Sequence, residues 1–487
     1  MKRITIDPIT RLEGHGKIEI FLKDDGDVDN VYFQVPELRG FEKFCEGRPV
    51  EELSQIVTKI CGVCPGCHHM ASGKAADAVY GVEPPPTARK LRELFYMAHF
   101  IHSHIAHFYV LAAPDFVVGP TASKAERNIL GVIEKVGVDI GTEVMKQRRT
   151  AQEIQTLLGG HQTHCVMNIP GGVRKGLSEE ERADIEKKAK GFIEFSKFTL
   201  QIFDNIVLAN KDYVDLILHG PYSLILHSMG LVDENNKVNF YDGKVRIVDT
   251  KGNEHCKYAP EDYREFVAER VEPWSYLKFP YLKKIGWKGF LDGQDSGVYH
   301  ATPLSRLNAA DGMATPLAQV EYERMYETLG GKPVHATMAM HWARLIELLY
   351  SAERCLELAQ DPDITGKELR VPLDNIPTEG VGIVEAQRGT LTHHYWTDKK
   401  GIVTKVNIIV GTTNNNAAIC MSLKKAAQGL IKKGEEVTEG ILNMIEMAFR
   451  AYDPCFSCAT HHLPGEMPLI VNLRDSKGEI IQTIKRK

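Results

Sequence analysis

The sequence predicts a mainly α, α+β chain: one large unit around a buried bundle of long helices, with small peripheral β-hairpins. Three observations lead there. The stretches after Pro84-Pro-Pro86 and after Ser178 are long and helical in character, and the first is apolar on every face, as a helix enclosed by others must be. Strand-like alternation is confined to short pieces. No repeat, low-complexity run or linker divides the 487 residues into separate domains.

In chain order, Lys17–Leu22 and residues 28–35 alternate like strands, and Lys23-Asp-Asp-Gly-Asp27 between them suits a hairpin turn. Pro84-Pro-Pro86 opens a helix to about Leu111, proline being tolerated in a first turn. Ser178 and Glu181 have capping-box spacing and start a second helical region that runs, with a break, to Leu218. Further helices are expected at 336–360, 416–432 and 437–451, the last stopped by Asp453-Pro454. Short strands are expected at 244–249 and 402–410. The polar, aromatic segment 237–280 reads as an irregular peripheral insertion. Residues 468–472 and 479–485 read as a small hairpin.

Composition narrows the function. Hydrophobic residues make up 43% and charged residues 25%, with a formal net charge of -5, so there is no basic field of the kind that nucleic-acid or acidic-membrane binding needs. The N-terminal residues lack the apolar core of a signal peptide, and no apolar run approaches the roughly 18 residues of a membrane span. The expectation is a cytoplasmic protein with no direct membrane span.

Ten cysteines are present, without the regular framework of a small secreted domain. Two C-x-x-C pairs stand out, Cys61-Gly-Val-Cys64 and Cys455-Phe-Ser-Cys458. Together they supply four thiolates to one site. Structural zinc or an iron-sulfur cluster fits that spacing, but zinc clips usually staple a local loop, whereas nearly the whole chain separates these pairs. A site closed only when both ends of a large fold meet is suited to burying a reactive metal among helices. Thiolates select nickel, iron, zinc or Cu(I) and exclude magnesium or calcium there; spacing does not choose among the soft metals.

The residues around the pairs do. Asp7-Pro-Ile-Thr-Arg-Leu-Glu-Gly-His15, Arg39-Gly-Phe-Glu42, Ile60-Cys-Gly-Val-Cys-Pro-Gly-Cys-His68, Arg388-Gly-Thr-Leu-Thr-His-His394 and Asp453-Pro-Cys-Phe-Ser-Cys-Ala-Thr-His461 resemble, in order and from end to end, the large subunit of nickel-iron hydrogenases. Within that family Ser103-His-Ile-Ala-His-Phe-Tyr109, Leu277-Lys-Phe-Pro-Tyr281, Pro303-Leu-Ser-Arg-Leu-Asn308 and His341-Trp-Ala-Arg-Leu-Ile-Glu347 resemble the cytoplasmic F420-non-reducing type that feeds a heterodisulfide reductase.

The resemblance implies a nickel ion held by Cys61, Cys64, Cys455 and Cys458, with Cys64 and Cys458 shared with an iron that carries CO and cyanide. It implies reversible heterolytic cleavage of H2, with a terminal cysteine sulfur and then Glu13 taking the proton. The implied catalytic set is Glu13, Arg388, Asp115, Asp453 and Cys458, in which Arg388 is a guanidinium over the diatomic ligands and the two aspartates fix its surroundings. Read without the motif, Glu13 would be a surface partner of Arg11, and the aspartates a turn residue and a residue before proline. Glu42 and His461, with the Val410 backbone oxygen, resemble ligands of a magnesium ion. His68 reads equally as a neighbour of the metal or a satisfied core histidine.

Some positions depart from the family. Lys59 replaces an arginine, Gln387 replaces the proline before Arg388, Asn414 replaces a glutamine, and Cys67 adds a thiol that reads as a small buried hydrophobe. Family resemblance implies that residues 1–461 form the catalytic domain and that a maturation protease removes 462–487 after nickel insertion factors have acted. The remaining cysteines form no second cluster motif, so electrons must leave through another protein. The implied partners are an iron-sulfur small subunit, an electron-transferring delta subunit, and heterodisulfide reductase, or ferredoxin as acceptor. The alternatives are NAD(P), F420 or polysulfur as acceptor, and an H2 sensor or inactive scaffold.

Overall fold

Long helices enclosed by one another form the centre of the computed structural model, which describes residues 2–35, 37–461, 470–475 and 479–485. The helices that matter for the site are α1 (Pro65–Val79), α2 (Pro86–Ala106), α3 (Val138–Gly159), α4 (Glu179–Phe203), α5 (Met340–Gln360), α6 (Gly411–Leu430) and α7 (Glu439–Arg450). Helix α5 packs on α2 and α4, and α3 packs on α2. Every residue of α5 from Met340 to Glu353 is buried, so this part of the helix has no solvent face. The capping box at Ser178 forms, with Ser178 Oγ accepting from the Glu181 N–H and the Glu181 carboxylate returning the bond, and it opens α4.

One cluster of charges inside this core is fully paired. Arg306, fully buried, donates to Glu347 of α5 at 2.6 Å and to Glu385 at 2.9 Å, and His104 of α2 lies 3.0 Å from Glu347. Removing one member would strand a buried charge, a loss of about 3–5 kcal/mol. The cluster ties the bundle to the sheet that carries the site.

Strands β1 (Lys2–Ile6), β2 (Lys17–Leu22) and β3 (Val28–Gln34) form an antiparallel sheet. Strands β4 (His227–Val232), β5 (Lys244–Val248) and β6 (Glu254–Tyr258) form a second. The third joins β7 (Glu379–Ala386), β8 (Gly389–Thr397) and β9 (Val403–Ile409). Strands β10 (Ile470–Arg474) and β11 (Ile480–Lys485) pair as the expected terminal hairpin, of which positions 468–469 lie outside the described residues. No described helix is long and apolar enough to cross a membrane.

The structure differs from expectation in three places. Segment 237–280 is not irregular: it carries β5, β6 and the antiparallel pair Val267–Val271 and Lys278–Leu282. Helix α2 gives way at His107 to wide π-helical turns at His107–Ala112 and Pro114–Val118, a distortion that concentrates at functional sites, and Asp115 lies in the second. The third sheet is internal rather than peripheral. Residues 389–395 of β8 are all buried, so no polar alternation marks it in the sequence.

Helix α1 lies so close to β7 that two strand glycines are obligatory. A Cβ at Gly382 would stand 2.1 Å from the Ala71 carbonyl oxygen and 2.4 Å from the Ala75 nitrogen, and one at Gly380 would stand 2.3 Å from the Val79 nitrogen. Gly382→Ala is expected to cost roughly 1–3 kcal/mol by forcing the layers apart, read as a lower thermal midpoint. Gly191→Ala on α4, where a Cβ meets nothing within 4 Å, is expected to be neutral or to stabilise by about 0.5–1 kcal/mol in the same measurement.

Candidate metal centre

The two C-x-x-C pairs meet. One sulfur atom from each of Cys61, Cys64, Cys455 and Cys458 lies within 4.8 Å of all the others, and all four residues are buried. Cys61 Sγ is 3.4 Å from Cys455 Sγ, Cys64 Sγ is 3.5 Å from Cys458 Sγ, and Cys455 Sγ is 2.8 Å from Cys458 Sγ. Cys61 follows a short 3-10 turn, and Cys64 is the residue before Pro65 opens α1. The N–H groups of Val63 and Cys64 point at Cys61 Sγ, at 3.2 and 3.1 Å, which favours a thiolate there.

The second pair is placed by the N-terminal segment. Glu13 and Cys455 form a parallel bridge, and the Phe456 N–H donates to the Glu13 carbonyl at 3.0 Å. A Cβ at Gly14, whose φ is +87°, would stand 2.9 Å from the Ser457 nitrogen, so glycine is needed for this approach. Arg39 then clamps both loops from outside. Its guanidinium donates to the Ile60 carbonyl at 2.5 Å and the Lys59 carbonyl at 3.1 Å, and lies 3.5 Å from the Ser457 carbonyl. Lys59 thus contributes its backbone to this clamp. The Cys455 N–H is taken by Thr412 Oγ1, at 3.0 Å, from the first turn of α6.

The donor set fits a soft metal. Burial pushes the thiols of Cys455 and Cys458 up, so these two sulfurs can hold negative charge beside Cys61 and Cys64 only around a cation. Arg388 supports the same reading. It lies in the two-residue turn Gln387-Arg388 between β7 and β8, and its Nη2 is 3.0 Å from Asp453 Oδ2. Burial opposes its charge, but Asp453 and the neighbouring thiolates of Cys64, Cys455 and Cys61 hold it protonated. Arg388 Nε and Nη1 nevertheless have no partner among the described residues. Each buried donor left open costs about 1–3 kcal/mol, so unmatched N–H groups beside four thiols imply further acceptors in the chamber.

Of the expected site residues, Glu13 joins the thiols: its Oε2 accepts from Cys455 Sγ at 2.9 Å and from the Ser457 N–H at 3.2 Å. The geometry therefore pairs Glu13 with Cys455 rather than with Cys458, the sulfur expected in the catalytic set. Asp115 is also a correction. Its carboxylate does not fix Arg388 but is bound by Arg11 at 2.5 Å, Asn443 at 3.0 Å and Arg450 at 3.2 Å, and these hold it in the ionised range against burial. The reason is the π-helical turn, which aims Asp115 at α7.

Glu42 and His461 do meet, at 3.5 Å from Oε1 to Nε2. The third expected ligand changes. The Val410 carbonyl accepts the Asn414 N–H and Nδ2 at 3.2 Å as α6 begins, whereas the Ile408 carbonyl lies 2.8 Å from His461 Nε2. His461 Nδ1 is 2.5 Å from the Cys458 carbonyl, so the ring is held between the Cys458 and Ile408 carbonyls with Glu42 beside it.

Other side chains pack near the centre. His68 Nδ1 is 3.1 Å from His393 Nε2, and His393 Nδ1 is 2.6 Å from the Tyr395 hydroxyl; burial holds His68 neutral, with its pKa lowered to about 3. Asn414 ties α6 to the Thr390 carbonyl at 2.6 Å, and Asn415 ties it to the Arg388 carbonyl at 2.9 Å. Thr412 and Asn415 use their side chains on backbone groups of the site loops and Ile408 uses its own carbonyl, contacts that residue type alone does not reveal.

Comparison with known proteins agrees with this geometry. Residues 39–137 and 137–461 match the family described as "Nickel-dependent hydrogenase", and residues 3–38 match one described as "HoxL-like". The chain belongs to the nickel-dependent hydrogenase large-subunit family. Among its hydrogenase relatives, an F420-non-reducing hydrogenase iron-sulfur subunit of Archaeoglobus profundus is 50% identical over 485 residues, covering 100% of both chains. An F420-non-reducing hydrogenase subunit of Methanothermobacter thermautotrophicus is 42% identical, covering 99% of this chain and 100% of the relative. The beta subunit of the NAD-reducing hydrogenase HoxS of Cupriavidus necator is 37% identical, covering 99% of each. Among solved structures, an NAD+-reducing nickel-iron hydrogenase in the H2-reduced state superposes with a TM-score of 0.88 at 37% identity, covering 95% of this chain and 100% of that one. The nickel-dependent hydrogenase family makes this chain an oxidoreductase subunit.

If Arg39 closes the centre from outside, Arg39→Ala leaves the bundle folded but the two cysteine loops unclamped. Expected are an unchanged helical circular-dichroism spectrum and a lower metal content per chain. Cys455→Ala is expected to abolish nickel retention, measured by elemental analysis after gel filtration.

Proposed function

We propose that this chain is the catalytic subunit of a nickel-iron hydrogenase that cleaves and forms H2 reversibly, passing two electrons to an iron-sulfur partner subunit. The observation that carries the reading is the convergence of four buried thiols with Glu13 on one of them. Cys61, Cys64, Cys455 and Cys458 would hold nickel, and Cys64 and Cys458, paired on one side at 3.5 Å, would be shared with an iron bearing CO and cyanide. When bound, such a centre supplies a site at which H2 is polarised and its electrons are accepted.

The chain's own residues handle the proton. A proton on Cys455 Sγ lies 2.9 Å from Glu13 Oε2, within direct transfer distance. The Ser457 N–H steadies the receiving oxygen, and Ser457 Oγ, 3.3 Å from Glu37, leads on to a pair between Glu37 and the exposed His15 at 2.5 Å. Asp453 keeps Arg388 charged and oriented over the thiols, so its open N–H groups are preorganised for acceptor ligands. Glu42, His461 and the Ile408 carbonyl would hold magnesium, which binds oxygen-rich sites and bridges β9 to the end of the catalytic domain.

The names of the A. profundus and M. thermautotrophicus relatives support an F420-non-reducing type; that the enzyme is cytoplasmic and coupled to heterodisulfide reductase or ferredoxin rests on the sequence resemblance alone. The C. necator relative and the solved NAD+-reducing enzyme support the same centre with NAD as acceptor. In the proposed maturation, residues 462–487 are removed by a protease once nickel insertion factors have loaded the site.

The test is isotope exchange between D2 and water protons by the anaerobically purified complex, with and without acceptors. Active exchange that drops at least about 100-fold in Glu13→Gln, while nickel and iron stay in place, is the expected result. Unchanged exchange in that variant would remove Glu13 from the proton route. No exchange by a metal-loaded complex would contradict the hydrogenase reading.

A further inference from the structure

The chemistry above leaves two polar residues beside the centre without a task, Cys67 and Gln387. They come from different elements, the first turn of α1 and the β7–β8 turn, and they meet at 2.9 Å, with Cys67 Sγ donating to Gln387 Oε1. Both are completely buried. Burial pushes the Cys67 thiol up, so it remains an S–H donor. The nearby Tyr96 hydroxyl is committed to the Glu385 carbonyl.

A donor on Oε1 fixes the amide plane and turns Nε2 away from Cys67. That Nε2 has no hydrogen-bond partner among the described residues, and neither do Nε and Nη1 of the adjacent Arg388. Three unmatched nitrogen donors thus sit on two successive residues of one tight turn. The turn lies against the thiols: Cys64, Cys455 and Cys61 are the charges that, after Asp453, hold Arg388 protonated, and Cys67 is one helical turn beyond Cys64. Buried donors are rarely left open in a folded chain unless something outside the protein accepts from them. A space-filling role would be met better by an apolar side chain of the same volume, which would bury no open N–H.

We propose that Cys67 is a positioning residue that locks the Gln387 amide with its NH2 toward the iron side of the centre, so that Gln387 and Arg388 together donate N–H bonds to acceptor ligands on that metal. The inference rests on the reading of the centre given above. Diatomic ligands such as cyanide accept strongly through nitrogen, and a second donor withdraws further charge from them. Gln387 then tunes the metal, and Cys67 decides which end of the amide does so.

The test is infrared spectroscopy of the holoenzyme complex, purified anaerobically, with nickel and iron quantified in each sample. Gln387→Leu is expected to move at least one cyanide or CO band while metal content stays the same. Cys67→Ala is expected to shift or split the same band as the amide loses its fixed orientation, and Cys67→Ser, which keeps a donor, to return it to the wild-type position. Wild-type bands in Gln387→Leu and Cys67→Ala would overturn the inference and leave the centre's identity intact. Should Gln387→Leu fail to accumulate, the other pair decides: identical spectra for Cys67→Ala and Cys67→Ser contradict the lock. Fully metallated wild-type enzyme with no such bands would overturn the reading of the centre itself, and this inference with it.

Discussion

The fold depends on a meeting of sulfurs: Cys61 and Cys455, 394 residues apart in sequence, come within 3.4 Å. Closing so long a loop costs chain entropy, though the cost grows only slowly with length, and four mutually close buried thiols repel one another once ionised. Bundle packing, the Glu13–Cys455 bridge and the Arg39 clamp must therefore bring the pairs together before a metal can hold them. This explains why the motif residues are spread along the chain: each is the local half of a long-range contact.

Charge is managed by segregation. Arg306 with Glu347 and Glu385 braces the bundle against the internal sheet, and Asp115 with Arg11 and Arg450 braces the π-helical turn after α2 against α7. Both networks satisfy their members. The Gln387-Arg388 turn differs, leaving three donors open on two successive residues beside the thiols. Stability is concentrated where the polar groups are matched, and chemistry is expected where they are not.

The amphipathic and capped elements were legible in the sequence: α4 begins at its capping box, α7 ends before Asp453-Pro454, and β2 and β3 form a hairpin. The internal sheet was not, because β8 is buried on both faces and carries no polar alternation. The four cysteines were legible as a group, and the family resemblance distinguished their metal. What they touch was less so. Asp115 lies in a π-helical turn that redirects it to α7, and the oxygen beside His461 belongs to Ile408 rather than Val410, a difference of strand register that residue type does not encode. The bond between Cys67 and Gln387 joins positions 320 apart, which single-residue reading treats separately.

The measurement that tests the account most directly is nickel-edge X-ray absorption on the complex purified with its native partner. The account predicts nickel in a sulfur-dominated shell with an iron neighbour, both lost when Cys61, Cys64, Cys455 or Cys458 is replaced. Nickel bound mainly by nitrogen and oxygen, or zinc in its place in the fully processed chain, would contradict it.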